Sequence, residues 1–398
     1  MCSIIKKTLS LGFGILIFSV SMAAKDSIPQ YFGNHQDDLE SIAVSKNIVA
    51  TGSWDKKIQL FKSDSTHTYI QELSGHNAAV SALRFTSDGK MLVSGGKDYK
   101  IIIWNTENPD NVEKVKELSM VHNAGINSIA TGSLKGVIYS AGDDGRIVIS
   151  YYVKGTSRFI DNKIPINEIA VSPNNQLIYC ADESVNLKQY NMLGGLLREF
   201  KGHTDEINAV ACSNDNLMVV TGSSDKTAII WNVSNGKPKK VLSGHGWKIT
   251  SVAFSPDNKY VITGGTDGMV KIWDANSGEE VESFFDEKIR IRQLDISSDL
   301  TNIYAAVQLN TEVQQVSYKA IVWNTGMNIK PAVTALPNTS TNGNTIRNGN
   351  TQNKETNNAT SKTTSEPSKP SPSKNGTTNG SKEVFSRGDE VKISIEDE

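Results

Sequence analysis

Three stretches of the chain superimpose without a gap: SGHNAAVSALRFTSDGKMLVSGGKDYKIIIWN, KGHTDEINAVACSNDNLMVVTGSSDKTAIIWN and SGHGWKITSVAFSPDNKYVITGGTDGMVKIWD. Internal repetition of this kind restricts the fold more than any local signal. His76 precedes Asp98, His203 precedes Asp225 and His245 precedes Asp267 by the same 22 residues, and Trp104, Trp231 and Trp273 each follow their aspartate by 6. Weaker copies fill the intervals and flank them, with third strands ending at Phe61, Ser150, Tyr190 and Trp323, which brings the count to seven. Turn segments such as SPDN, TSDG and KDYK separate short runs such as VSALRF, MLVSG and KIIIW. These runs are rich in β-branched residues and often alternate, as strands do. Each copy is therefore a small antiparallel sheet.

With a Gly-His pair, a turn aspartate and a Trp-Asn or Trp-Asp ending, the repeats resemble the WD-repeat β-propeller family. The resemblance covers about Ile28 to Asn324 and is specific in repeats two, five and six. Repeat three keeps His122 and Asp144 but has Ser150 for the tryptophan, repeat four has Tyr190 there, and repeat seven keeps Trp323 alone. The resemblance implies an all-β, seven-bladed propeller. A ring must be fastened where its ends meet, because open sheet edges are a liability. Aligning SIPQYFGNH with YIQELSGH makes Ile28 to Phe32 an outermost strand without a blade of its own, while the last repeat runs out after its third strand at Asn324. The amino-terminal strand is expected to complete the seventh blade, as it commonly does in this family.

Each full repeat holds a histidine, a hydroxyl and an aspartate: His76, Ser94, Asp98; His203, Thr221, Asp225; His245, Thr263, Asp267. That inventory could serve a hydrolytic triad, but an active site is normally assembled once. These sets recur in register with Trp104, Trp231 and Trp273, and in the family they resemble the four side chains form a buried network within each blade. The expectation is structural sets and no catalytic residue. The six histidines are dispersed one per repeat with no i,i+4 pair, so no metal site is expected. No phosphate-cradling glycine loop is visible, so no cofactor is expected either.

The 41 basic and 43 acidic residues, net charge −2, provide no polybasic signal for nucleic acid or anionic lipid. At the amino terminus, Lys6 and Lys7 precede an apolar run from Leu9 to Val20 and the small residues Ser21, Ala23 and Ala24, the layout of a signal peptide. The run is short of the roughly 20 residues a membrane span needs, so the expectation is export, to a periplasm or the outside, with residues 1–23 removed and no stable span left. Cys180 and Cys212 fall in apolar strand patterns and read as small buried hydrophobes rather than a bridge. Residues 24–330 would form the propeller. From about Pro331 the sequence turns to Asn, Thr, Ser, Lys and Pro, a composition too poor in apolar residues to fold alone, so residues 331–398 are expected to be a disordered tail. Its end, EVFSRGDEVKISIEDE, could become a strand on a partner.

Binding is the chemistry these exclusions leave. In such a propeller the loop before each first strand and the turn between the second and third strands open on one rim. That places Asp38, Glu206, Lys248, Arg290, Trp54, Lys97 and Asp143 there, together with Trp247, which follows Gly-His where the sister repeats carry small or polar residues. Both charge signs with two tryptophans suit a protein or peptide partner, with Trp54, Trp247, Lys248 and Arg290 marking the rim near blades six, seven and one. About eight extra residues around Leu309 to Ser317 lengthen a turn of the seventh blade on that rim. The expected function is an exported, monomeric interaction scaffold. The alternatives are an enzyme or small-ligand binder using the central channel, and an intracellular scaffold.

Overall fold

The structure, a computed structural model, describes residues 29–309, 318–327 and 391–392; the expected signal segment and almost all of the tail lie outside them. Seven antiparallel sheets follow one another along the chain. Their innermost strands begin at Leu39, Val80, Ile126, Ile166, Ile207, Ile249 and, in the seventh blade, Ile289. Six blades run strictly in sequence order from inner to outer strand, whereas the seventh takes its outer strand from Gln30–His35. That strand pairs with Tyr318–Asn324 in the register Gln30↔Val322, Tyr31↔Ile321 and Phe32↔Ala320. The closing strand thus begins two residues and ends three residues later than the alignment placed it, and it closes the ring as expected.

The core consists of apolar clusters, most of them joining neighbouring blades. One joins Ile48, Ile58 and Leu60 of the first blade to Leu83, Ile102 and Trp104 of the second; another joins Tyr179 and Leu187 of the fourth to Val219 and Trp231 of the fifth. Both faces of the middle strands are covered, which is why a strand such as Met218–Ser223 is buried along its whole length.

One irregularity recurs in every blade. The pairing of the first strand with the second slips between Leu39 and Ser41, Val80 and Ala82, Ile126 and Ser128, Ile166 and Glu168, Ile207 and Ala209, Ile249 and Ser251, and Ile291 and Gln293. Each slip is a β-bulge at the residue between, and a bulge re-aims the side chain it carries.

Two placements differ from the expectation. Arg290 was expected in a loop, but the seventh blade's first two strands are eight residues each, and the extra length pairs Ile289↔Leu309 and Arg290↔Gln308. The longer hairpin therefore takes Arg290 into the ladder; the apex of the insertion, 310–317, lies outside the described residues. At the other end of the chain, Val391–Lys392 pairs antiparallel with Ser157 and Thr156. The strand expected for a partner lies on the open outer edge of the chain's own third blade, where unpaired backbone groups are available. Cys180 and Cys212 are free thiols.

Candidate partner-binding rim and central channel

The recurring polar sets are closed hydrogen-bond networks. In the fifth blade, His203 Nδ1 lies 2.8 Å from Asp225 Oδ2 and Nε2 lies 2.8 Å from Thr221 Oγ1, and the Trp231 indole N–H donates to the same hydroxyl at 2.8 Å. His76, Ser94, Asp98 and Trp104 repeat this arrangement at 2.8–3.1 Å, as do His245, Thr263, Asp267 and Trp273. Burial alone would raise the Asp225 carboxyl. Hydrogen bonds from the Thr227 hydroxyl, the Thr204 backbone N–H and His203 outweigh it and hold the group below its ordinary value. Ser94, Thr221 and Thr263 are 0 % exposed, so no substrate reaches these hydroxyls.

Local backbone geometry builds these sets. Each aspartate caps a turn by accepting the N–H two residues on, as Asp98 does from Lys100 and Asp225 from Thr227. The residue between is left-handed, with φ 69° at Tyr99, 71° at Lys226 and 75° at Gly268. Only the glycine adopts that conformation without steric cost.

The networks extend further than the tryptophan repeats suggested. His35, Thr51 and Asp55 form a set in the first blade, and His122, Ser140 and Asp144 one in the third. The first was missed because Phe61 stands where the tryptophan would be; the 22-residue spacing was available only to Asp144, since His35 and Asp55 are 20 apart. In the third blade Ser150 fills the tryptophan position, and its buried hydroxyl has no hydrogen-bond partner. The fourth blade substitutes a different network, in which Asn162 takes the histidine's place between Asp182 and Tyr190, and Lys188 Nζ lies 2.6 Å from Asp182. Histidine is also not distributed one per repeat: His35 and His67 both stand at the first blade, where His67 stacks on Phe32.

On the rim, Trp54 and Trp247 are 49 % and 66 % exposed. Trp54, Lys97, Asp143 and Lys248 come together around a cavity of about 510 Å³ at the mouth of the channel. Asp38, Glu206, Trp247 and Arg290 do not line it. Asp38 instead accepts from Gln308 Nε2 at 3.0 Å, and burial raises its carboxyl above the ordinary value. Glu206 accepts from the Ser224 hydroxyl at 3.0 Å. The expected cluster of Trp54 with Trp247 is corrected, because Trp247 lies outside the mouth with Lys226 of the fifth blade 5.5 Å from its ring.

The mouth belongs instead to the seven bulged residues: Glu40, Ser81, Asn127, Asn167, Asn208, Thr250 and Arg292. Five of them clip one blade to the next by donating to the carbonyl of its first-strand residue, Ser81 to Ile126, Asn127 to Ile166 at 2.8 Å, Asn167 to Ile207 at 2.9 Å, Asn208 to Ile249 at 3.0 Å and Thr250 to Ile291 at 2.7 Å. Such bonds satisfy carbonyls that the bulge removes from the ladder. At the seam between the last blade and the first, Arg292 Nη2 holds both oxygens of Glu40 at 2.7 and 2.8 Å, and the Trp54 indole donates to Glu40 at 2.6 Å. Beside it, Lys97 pairs with Asp143 at 3.1 Å and bonds Asn127. The signal was present in the sequence one residue after each first-strand apolar position. It was passed over because an unbulged strand would point that residue differently.

With the seven sheets, the closing strand and the buried networks in place, the class of the molecule is settled as a seven-bladed propeller built from repeats. The WD40 family, described as WD domain, G-beta repeat, matches residues 67–105, 194–232 and 236–274, each running from one blade's outer strand through the next blade's third or falling on that pattern, so the chain is a propeller carrying WD40 repeats. Among similar proteins, B-type cell cycle switch protein ccs52A of Medicago truncatula is 28% identical over 207 residues, which are 50% of this chain and 42% of that protein. The U3 small nucleolar RNA-associated protein 15 homolog of Xenopus laevis is 26% identical over 195 residues, 48% of this chain and 36% of that one. Cell division cycle 20.5, cofactor of APC complex, of Arabidopsis thaliana is 24% identical over 232 residues, 52% and 48% respectively. The chain spans less than half the length of these relatives. These relatives, named for a cell cycle switch and for U3 small nucleolar RNA, overturn the expectation of a secreted or periplasmic protein. The charged-then-apolar start on which that expectation rested lies outside the described residues.

Proposed function

We propose that the protein is an intracellular, non-enzymatic adaptor that receives a protein or peptide partner on the rim around the channel mouth. The observation that carries this reading is Trp54, half exposed at that mouth and fixed by the Glu40 and Arg292 ion pair. A rigid, partly solvated aromatic surrounded by both charge signs is the composition of an interface hot spot. The sealed hydroxyls of the blade networks speak for structural sets rather than triads. One relative bears the name of a cofactor of a larger complex, and assembly with other proteins is the activity carried over here. The segment from Pro331 onward would extend the adaptor's reach.

Affinity capture from cell extract tests this, comparing the full chain, its Trp54→Ala variant and a chain ending at Asn324. A defined set of proteins retained by the full chain and lost from Trp54→Ala supports the rim. Equal capture by both would remove it, and loss only on shortening would place the contact in the segment beyond the propeller.

A further inference from the structure

Below the mouth, a cavity is lined by the fifth residue of six innermost strands, counted from Val80, Ile126, Ile166, Ile207, Ile249 and Ile291, while the equivalent Ala43 of the first blade is buried in the core instead. Five of these seven positions are alanine, Ala43, Ala130, Ala170, Ala211 and Ala253, whereas the second blade places Arg84 there and the seventh Asp295. Glu168 of the fourth blade joins them, and all three charged residues line one cavity of about 380 Å³. The repeat's architecture does not require them, since the sister positions do without.

Arg84 and Glu168 leave hydrogen-bonding capacity unspent among the described residues. Glu168 accepts the Val210 N–H at 2.8 Å through Oε2, and Asp295 accepts the Val44 N–H at 2.8 Å through Oδ2 and the Ile296 N–H at 2.9 Å through Oδ1, so backbone groups, including one of the next blade in each case, fix both carboxylates. Arg84 approaches Glu168 Oε1 only to 3.9 Å, and its guanidinium makes no hydrogen bond to protein among the described residues. An arginine fork with its donors unspent matches a carboxylate through two parallel bonds. The fixed Glu168 carboxylate, whose Oε1 accepts no hydrogen bond among the described residues, matches an ammonium group, with Asp295 adding negative charge to the same cavity. Alanine walls leave room for the atoms between.

We propose that this cavity binds a small zwitterion, an α-amino acid or short peptide, with its carboxylate on Arg84 and its ammonium group on Glu168 and Asp295. The cavity meets the mouth at Glu168, which lines both, but Arg84 and Asp295 lie outside the mouth lining.

Calorimetric titration of the full chain with glycine, glutamate, lysine and diglycine, against ethylamine and acetate as single-group probes, tests the assignment. At least one zwitterion is expected to bind while the single-group probes do not at the same concentration. Arg84→Met should weaken that zwitterion about tenfold or more, the loss of a charged hydrogen-bond pair, and Glu168→Gln should weaken it less. Trp54→Ala should bind it as the wild type does, which separates this site from the rim. Circular dichroism melting confirms that each variant is folded. Absence of binding by every zwitterion to the wild-type chain overturns the proposal, as does unchanged affinity in folded Arg84→Met. Equal binding of ethylamine would make it an amine site and overturn the carboxylate half.

Discussion

Arg292 of the seventh blade and Glu40 of the first are joined through both carboxylate oxygens, at 2.7 and 2.8 Å from a single guanidinium nitrogen. The pair sits at the seam of the ring and at the same time anchors the Trp54 indole. Glu40→Ala and Arg292→Ala are each expected to lower the unfolding free energy by about 1–2 kcal/mol, a charged hydrogen bond discounted for the partial exposure of the arginine. In urea titrations the double variant should lose less than the two single losses together. Strict additivity would show that the two side chains do not act as a pair.

The blade networks set a second expectation. Trp231 is fully buried and its indole N–H is bonded, so Trp231→Ala should cost about 3–5 kcal/mol. Asp225→Ala should cost about 1–3 kcal/mol by leaving His203 and the Thr204 N–H unpaired. Denaturant unfolding of the two variants checks both expectations. A stable His203→Ala chain that had lost a measured activity would reverse the structural reading of the set.

Trp247 has the opposite expectation. With two-thirds of its surface exposed and Lys226 over its ring, Trp247→Ala should leave the melting temperature nearly unchanged. If its indole is a partner anchor, capture weakens by about 2 kcal/mol or more. A large fall in melting temperature would mean that the side chain covers its blade.

Stability should also depend on pH through Glu168. Burial pushes its carboxyl from 4.5 up to about 7, with Arg84 and the Val210 N–H opposing the rise; Asp295 faces the same cavity, and burial raises its carboxyl too. Cys212, also lining the cavity, is pushed far up by burial and stays a neutral thiol. A folded-state value above the unfolded one means that stability is fully present below about pH 4.5 and is lost as pH rises through about 7. Glu168→Gln removes the ionisation while keeping an acceptor for Val210. Between pH 5 and pH 8 the wild type should therefore lose as much as about 3 kcal/mol relative to the variant. Parallel stability curves for the two chains would exclude this origin.

The repeat by itself determined the architecture. His, Asp and Trp recurring at one spacing place the same contacts in successive sheets, and the unclaimed strand around Tyr31 and Phe32 supplied the missing edge of the seventh. Local hydrogen bonding fixes such sets, since His203, Thr221, Asp225 and Trp231 all fall within one sheet and its preceding loop. The mouth and the channel were decided only by tertiary structure. Glu40 and Arg292 are 252 residues apart, and Arg84, Glu168 and Asp295 come from three different blades. Each blade contributes one side chain per level, and a one-residue bulge sets which side chain it is, so neither the level nor its charge is visible until the ring closes. The exposure of Trp247 was decided in the same way: a tryptophan before a strand fits burial or solvent equally well in sequence, and only the packing around it distinguishes the two.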